Sequence, residues 1–143
     1  MGSWGSRGVC LVIEDDQDIR NLLTLILTGI GFEVHAVSSA RDAVRAAKAL
    51  PLVLVTVDLG LPDGDGLDVA HDIRKLSDAP LLIVTAHAEP HDELAGLASG
   101  AAAYLVKPFR PRELTELVDR ICPAGTPLAS MAAREVADED RRH

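Results

Sequence analysis

Short apolar runs alternate with amphipathic stretches along most of the chain. The apolar runs are rich in β-branched residues and predict five strands, at residues 9–13, 33–37, 52–58, 81–85 and 103–106. Between them, apolar residues recur every three or four positions, as in residues 94–101, which is the spacing of one helix face. Five strands alternating with five helices predict an α/β fold in which helices cover both faces of a parallel sheet.

Polar residues mark where several of these helices begin. Ser39 with Asp42 is predicted to cap the second helix, and Pro111 suits the first turn of the last one. Asp16 is interpreted as a helix cap and not as a ligand. Because connections between parallel strands are right-handed, a doubly wound sheet is the simplest arrangement of these elements. Such sheets bind ligands beyond the carboxyl ends of their strands.

The two ends of the chain lack this alternation. Residues 1–8 are rich in Gly and Ser and are expected to be disordered, and residues 9–122 carry the pattern of one domain. The segment P-A-G-T-P then interrupts the pattern, so residues 123–143 are expected to form a tail or linker. Residues 128–140 of that tail could form an Ala-rich helix.

Composition and charge narrow the class of protein. No apolar run approaches the ~20 residues of a membrane span, and the N-terminus lacks the apolar region of a secretory signal. A cytoplasmic location without membrane contact is therefore expected. The net charge of −8 disfavours binding to nucleic acid, whose phosphates require cationic partners. Cys10 and Cys122 are expected to be free thiols.

Chemically useful side chains follow four of the predicted strands. Glu14 and Asp15 come directly after the first strand, Asp58 ends the third, Thr85 ends the fourth and Lys107 follows the fifth. The carboxyl ends of parallel strands share one edge of a sheet, so these side chains are expected to line one crevice there. The crevice would hold three acids, a hydroxyl and an ammonium group.

Carboxylates held this close repel one another, and a hard divalent cation would relieve the repulsion. Mg²⁺ prefers oxygen ligands and keeps coordination positions for water and phosphate. A lysine and a hydroxyl opposite the metal would bind the remaining phosphoryl oxygens. The pattern therefore favours phosphoryl transfer to a carboxylate.

Four motifs resemble those of the receiver domain of two-component response regulators, over residues 8 to 121. They are V-I-E-D-D at residues 12–16, V-D-L-G-L-P-D-G-D-G at 57–66, V-T-A at 84–86 and Y-L-V-K-P-F at 104–109. Each motif alone is weak, but all four occur in the family's order and spacing. The resemblance implies a flavodoxin-like sheet of five strands in the order 2-1-3-4-5, with five helices.

The resemblance also implies an active site. Asp58 would be the phosphoacceptor, and Asp15 would bind Mg²⁺ directly while Glu14 binds it through water. Asp58 and the carbonyl of Gly60 would complete the protein ligands. The phosphoryl donor would be a sensor histidine kinase or a histidine phosphotransfer protein. The domain would assist its own phosphorylation and dephosphorylation, but it would be a signalling domain and not an enzyme acting on separate substrates.

Further residues acquire roles from the same resemblance. Thr85 and Lys107 would bind the phosphoryl oxygens, and the peptide between Lys107 and Pro108 is often cis in this family. Thr85 and the aromatic residue Tyr104 would act as the switch that changes the face of the fourth helix, fifth strand and fifth helix for a downstream partner. Gly60 and His87 would tune the rate of dephosphorylation, because they flank the approach of water.

The chain departs from the family pattern at Ala102 and Ala103, where the large transcription-factor subfamily usually carries acids of its dimer interface. The expectation is therefore a weak dimer of that type or none. Two alternative functions are considered. One is a receiver-like docking module that takes no phosphate. The other is a haloacid-dehalogenase-like phosphatase, which requires a second Asp two residues after the nucleophile, where this chain has Gly60.

Overall fold

The computed structural model describes residues 7–86 and 89–123, apart from the side chain of Asp92. Seven strands and five helices follow one another in this part of the chain. Their order is β1 (Gly8–Ile13), α1 (Gln17–Gly29), β2 (Phe32–Val37), α2 (Ala40–Ala49), β3 (Leu52–Val57), β4 (Gly60–Leu61), β5 (Gly64–Asp65), α3 (Gly66–Leu76), β6 (Leu81–Thr85), α4 (Pro90–Ala98), β7 (Ala103–Val106) and α5 (Pro111–Ile121).

Five of the strands form one parallel sheet in the order β2-β1-β3-β6-β7. These are the five predicted strands, so the doubly wound fold and the 2-1-3-4-5 order are confirmed. The strand β2 lies on one side of β1, and the later strands lie on the other side, so the order in which strands are added reverses between β1 and β3. The carboxyl ends of these two neighbouring strands therefore lie side by side.

Two apolar cores hold the helices against the sheet. Small and branched residues of α2 and α3, among them Ala43 and Ile73, pack on one face. Leu23 and Leu27 of α1 pack with Leu114 and Val118 of α5 on the other. The apolar helix faces that this periodicity predicts therefore cover both faces of the sheet.

The predicted helix starts are confirmed by their hydrogen bonds. The Asp16 carboxylate accepts a bond from the Ile19 N–H at 3.0 Å, and the Ser39 hydroxyl accepts one from the Asp42 N–H at 3.2 Å. Pro111 occupies the first turn of α5. These caps satisfy amide groups that have no partner inside the helix.

Strand boundaries agree with the predictions to within one residue, but a small hairpin was not predicted. Residues Gly60–Leu61 and Gly64–Asp65 pair antiparallel, with Gly60 opposite Asp65. Strands of two residues have no periodicity to detect, although the sequence L-P-D-G-D carries the Pro, Asp and Gly of a tight turn. This segment, residues 60–65, is called the hairpin below.

The expectation of disorder through residue 8 is wrong for its last two residues. Gly8 begins β1, and the Arg7 guanidinium donates to the carbonyls of Ile30 at 3.2 Å and Cys122 at 2.6 Å. It also lies 3.3 Å from the Asp119 carboxylate and 4.5 Å above the centre of the Phe32 ring. Arg7 was missed because its partners lie far away in sequence.

The remaining residues of both predicted end segments, 1–6 and 124–143, lie outside the described residues, so the division of the chain into three segments stays a prediction. None of the helices in the described part combines the length and the hydropathy that crossing a membrane requires. Cys10 and Cys122 are free thiols, and burial raises the pKa of both.

Candidate functional site

The ends of β1 and β3 bring three carboxylates together. Glu14 and Asp15 follow β1, Asp58 follows β3, and one oxygen from each of the three lies within 4.8 Å of the others. Glu14 and Asp58 are buried, while Asp15 is exposed. The predicted convergence at this edge of the sheet is therefore found, with one acid open to solvent.

Lys107 completes the cluster from the end of β7. Its ammonium nitrogen lies 2.8 Å from Glu14 Oε1 and 3.4 Å from Asp58 Oδ2. The peptide joining Lys107 to Pro108 is cis, as the family resemblance implied. The ammonium group already lies between two of the three acids, where it partly neutralises them.

The electrostatics of the site show how crowded the negative charge is. Burial raises the pKa of Glu14 to about 7, the charge of Asp58 adds to that rise, and the hydrogen bond from Lys107 opposes it. Burial by itself would lower the pKa of Lys107, but its contact with Glu14 and the charge of Asp58 outweigh burial and raise it. The raised pKa keeps Lys107 positively charged. Its single positive charge does not balance the three carboxylates of the cluster.

Backbone groups fix the direction of the buried carboxylates. The Asp16 N–H donates to Glu14 Oε2 at 3.1 Å, and the Gly60 N–H donates to Asp58 Oδ1 at 3.2 Å. The guanidinium of Arg20 donates to the Glu14 carbonyl at 3.0 Å and holds the loop after β1. The second oxygen of each of these two acids faces Lys107. Glu14 and Asp58 are therefore held from both sides.

Two glycines shape the backbone around Asp58. A side chain at Gly66 would collide with the Leu59 Cα and with the Asp58 carbonyl oxygen, so the start of α3 can approach β3 only through a glycine. Gly60 is different, because a Cβ added there would meet nothing within 4 Å. The side of the site next to Gly60 is open.

The other predicted site residues lie at different depths. Thr85 is fully buried at the end of β6, and its carbonyl accepts a bond from the Lys107 N–H at 2.8 Å. Tyr104 is half-buried and packs against the core at Gly96 of α4, where an added Cβ would lie 3.2 Å from its ring. His87 lies outside the described residues, so its predicted role stays a prediction.

Two leucines of α4 and one valine of β7, the strand that also carries Tyr104, are exposed to solvent. Leu94 is 69% exposed, Leu97 41% and Val106 36%. These three exposed residues belong to α4 and β7, two of the elements that the resemblance implies for signalling.

A cavity of about 400 Å³ lies elsewhere, between β2 and α2. Its lining includes His35, Val37, Arg45 and Leu50. Its lining includes none of Glu14, Asp15, Asp58, Thr85 and Lys107. The cavity therefore does not belong to the cluster at the strand ends.

The residues at the strand ends suit a divalent cation. Three carboxylate oxygens lie within 4.8 Å of one another, which is close enough for them to share one ion. Two of these acids are buried and only partly neutralised by Lys107. Mg²⁺ is the hard cation that oxygen ligands of this kind prefer when phosphate is also bound.

Known proteins share this arrangement. The family model for the response regulator receiver domain matches residues 10–119. The DNA-binding response regulator MtrA of Mycobacterium tuberculosis is 38% identical over 108 residues, which is 76% of this chain and 47% of that protein. The chain thus spans about half the length of the curated relatives it matches.

Solved structures agree with the sequence relatives. The receiver domain of a Pseudomonas aeruginosa sensor histidine kinase, described with a magnesium ion coordinated in its active site cleft, has a TM-score of 0.71 and 26% identity, covering 81% of this chain and 98% of that one. A response regulator of Burkholderia pseudomallei, described with a phosphorylated aspartic acid, calcium ion and citrate, has a TM-score of 0.72 and 27% identity, covering 93% and 75%.

Proposed function

Because the chain belongs to the response regulator receiver domain family of two-component systems, we propose that Asp58 accepts one phosphoryl group in a reaction that depends on Mg²⁺. The observation that carries this proposal is that Asp58 lies 3.4 Å from the Lys107 ammonium and within 4.8 Å of both acids after β1. A buried carboxylate that faces both a cation and a metal-ligand cluster is placed for aspartyl-phosphate chemistry.

The transfer itself exchanges one bond for another. A carboxylate oxygen of Asp58 forms a bond to phosphorus as the bond from phosphorus to the donor breaks. The donor would be the phosphohistidine of a sensor kinase or of a histidine phosphotransfer protein. Lys107, 3.4 Å from Asp58 before the reaction, is placed to bind the oxygens of the arriving group. The Thr85 hydroxyl would donate a hydrogen bond to the same group.

Glu14, Asp15 and Asp58, with the carbonyl of Gly60, would hold the Mg²⁺ ion. The ion would neutralise the charge that accumulates on the phosphoryl oxygens. Asp15 is the exposed member of the set, and Glu14 is held back by Lys107 and the Asp16 N–H. This difference supports direct metal binding by Asp15 and binding through water by Glu14.

The phosphorylated domain would signal through α4, β7 and α5. Thr85 and Tyr104 would move together when the phosphoryl group arrives, and the exposed side chains of Leu94, Leu97 and Val106 would contact the downstream partner. Ala102 and Ala103 replace acids at the dimer interface of the transcription-factor subfamily, so we propose a weak dimer of that type or none. The chain itself would not bind nucleic acid directly, and it would act in the cytoplasm.

Intact mass spectrometry after treatment with acetyl phosphate tests the function. We expect the addition of one phosphoryl group with Mg²⁺ present, none in EDTA, and none in Asp58→Asn. Wild-type protein that stays unmodified while still binding a kinase would instead support the docking module. Hydrolysis of a generic ester such as p-nitrophenyl phosphate would support the phosphatase, which the glycine at position 60 disfavours.

A further inference from the structure

An acid of the hairpin is bonded to the start of a helix elsewhere in the chain. The Asp63 carboxylate accepts the Ala40 N–H on Oδ1 at 2.7 Å and the Arg41 N–H on Oδ2 at 3.2 Å. These are the first two amides of α2, and Ser39 takes the third, from Asp42. The first amides of a helix have no partner within it, so α2 begins with two of them satisfied by a residue more than twenty positions away.

The contact between the hairpin and α2 is more than one side chain wide. A Cβ added at Gly64 would lie 3.5 Å from that of Ala40, so the backbone of the turn packs directly on the helix start. Leu61 of the hairpin is buried in the core that α2 shares with α3. The N–H of Ala40, at the positive end of the helix dipole, also lowers the pKa of the Asp63 carboxyl.

The other end of the hairpin reaches the site. Gly60 pairs with Asp65 across the hairpin, and its N–H donates to Asp58 Oδ1 at 3.2 Å. Its carbonyl is the backbone ligand in the proposed Mg²⁺ site. A Cβ added at Gly60 would meet nothing within 4 Å, so side-chain packing does not help to hold this residue, and its backbone contacts must do so. The position of Gly60 therefore depends on how the rest of the hairpin is anchored.

We propose that Asp63 is a positioning residue for the phosphoacceptor site. By bonding to Ala40 and Arg41, it fixes the hairpin to α2 and so holds Gly60 where its N–H orients Asp58 and its carbonyl can bind the metal. This inference rests on the proposed function. It adds that α2, which contributes no ligand, is part of the support of the site.

Two substitutions separate this role from ordinary helix capping. Asp63→Ala removes the bonds from the hairpin, whereas Ser39→Ala removes a cap bond at the same helix end without touching the hairpin. Asp68→Ala, at an exposed acid in the first turn of α3, controls for the loss of one negative charge. Asp63→Asn is the milder variant, because its amide can accept through one oxygen only.

Mg²⁺ affinity is measured by NMR titration, and exposure of the Ala40 and Arg41 amides by hydrogen exchange. We expect Asp63→Ala to weaken Mg²⁺ binding about three- to fivefold, the size of losing one or two capping bonds. Exchange of both amides should accelerate. Acetyl phosphate labelling should slow at low Mg²⁺ and recover at saturating Mg²⁺. Asp63→Asn should be intermediate, and Ser39→Ala and Asp68→Ala should keep the wild-type Mg²⁺ affinity.

Equal Mg²⁺ affinity in wild type and Asp63→Ala would overturn the inference while leaving the proposed function intact. An equal loss in Ser39→Ala would overturn it too, because helix stability alone would then explain the effect. Wild-type protein that neither binds Mg²⁺ nor takes up phosphate would overturn both.

Discussion

At the scale of single residues, the site is organised by one lysine that serves two acids. Lys107 lies 2.8 Å from Glu14 and 3.4 Å from Asp58, and Glu14 is almost completely buried. The sequence predicted that these side chains would meet, because each follows a strand of one parallel sheet. It could not predict that Glu14 is buried and paired, because burial depends on how tightly the loops close over the strand ends.

Removing Lys107 should therefore destabilise the protein through Glu14. In Lys107→Met we expect the free energy of unfolding to fall by about 1–3 kcal/mol, because a buried carboxylate loses its cation while Lys107 itself keeps some contact with water. Adding Glu14→Gln should recover part of that loss. Urea unfolding without metal measures both, with the exposed Lys75→Met as control. Strictly additive losses at positions 14 and 107 would show that the pair is not coupled.

The contact between Asp63 and Ala40 should also depend on pH. The bond from the Ala40 N–H lowers the pKa of the Asp63 carboxyl below its ordinary value of 3.8. A lowered pKa means that the bond contributes stability above pH 3.8 and loses it as the pH falls through the value in the folded protein. The Ala40 amide resonance should therefore titrate with a midpoint below 3.8. It should not titrate in Asp63→Asn, and a midpoint at or above 3.8 would contradict the bond.

At the scale of elements, the strands were predictable and the hairpin was not. The strands β6 and β7 match their predicted bounds to the residue, because each is a short apolar run that ends at a polar residue. The hairpin consists of two-residue strands that depend on contacts with α2 and with Asp58, which no local pattern encodes. It nevertheless carries Gly60, so the segment that prediction missed supports the site.

Gly60, the first residue of the hairpin, and Gly66, the residue after it, should respond to substitution in opposite ways. Gly60→Met finds open space, so we expect it to leave phosphorylation intact and to change dephosphorylation several-fold by altering the approach of water. Gly66→Ala forces a Cβ into the backbone of Leu59 and Asp58, so labelling and stability should both fall. Loss of a phosphate-bound mass signal over time measures the first effect. Unchanged hydrolysis in Gly60→Met would show that water does not pass this residue.

The proposed switch would require α4 and β7 to move together. Beryllofluoride imitates the phosphoryl group, and in wild type it should shift the resonances of Tyr104, Leu94 and Leu97 as well as those near Asp58. Thr85→Ala should keep the shifts near Asp58 and lose the distant ones, whereas Thr85→Ser keeps the hydroxyl and should retain both. Distant shifts that persist in Thr85→Ala would exclude this threonine as the link.

At the scale of the whole molecule, Arg7 connects parts that the sequence keeps far apart. Its guanidinium bonds to the end of α1 and to the residue after α5 while lying on the ring of Phe32. The overall fold followed from periodicity, but this connection could not, since nothing in a local window identifies partners 23 and 115 residues away.

Arg7→Ala should lower the free energy of unfolding by about 2 kcal/mol, from the lost bonds and the lost contact with the ring. Arg7→Lys should recover only part of this, because an ammonium group cannot make the same forked contacts. Urea unfolding gives the measurement, and Arg112→Ala, an exposed arginine on α5, gives the control. Equal stability of the Arg7 and Arg112 variants would show that the contacts of Arg7 are energetically neutral.

The contacts of Arg7 also place residues 7 and 122 within the length of a single arginine side chain. Because an extended chain covers about 3.3–3.6 Å per residue, a linker of about four residues would join these two points without straining either. The first and last residues of the folded unit, Arg7 and Cys122, are therefore close neighbours. The unit could be circularly permuted, or inserted as a cassette into a surface turn of another protein, while the cluster of Glu14, Asp15 and Asp58 stays at the opposite end of the strands.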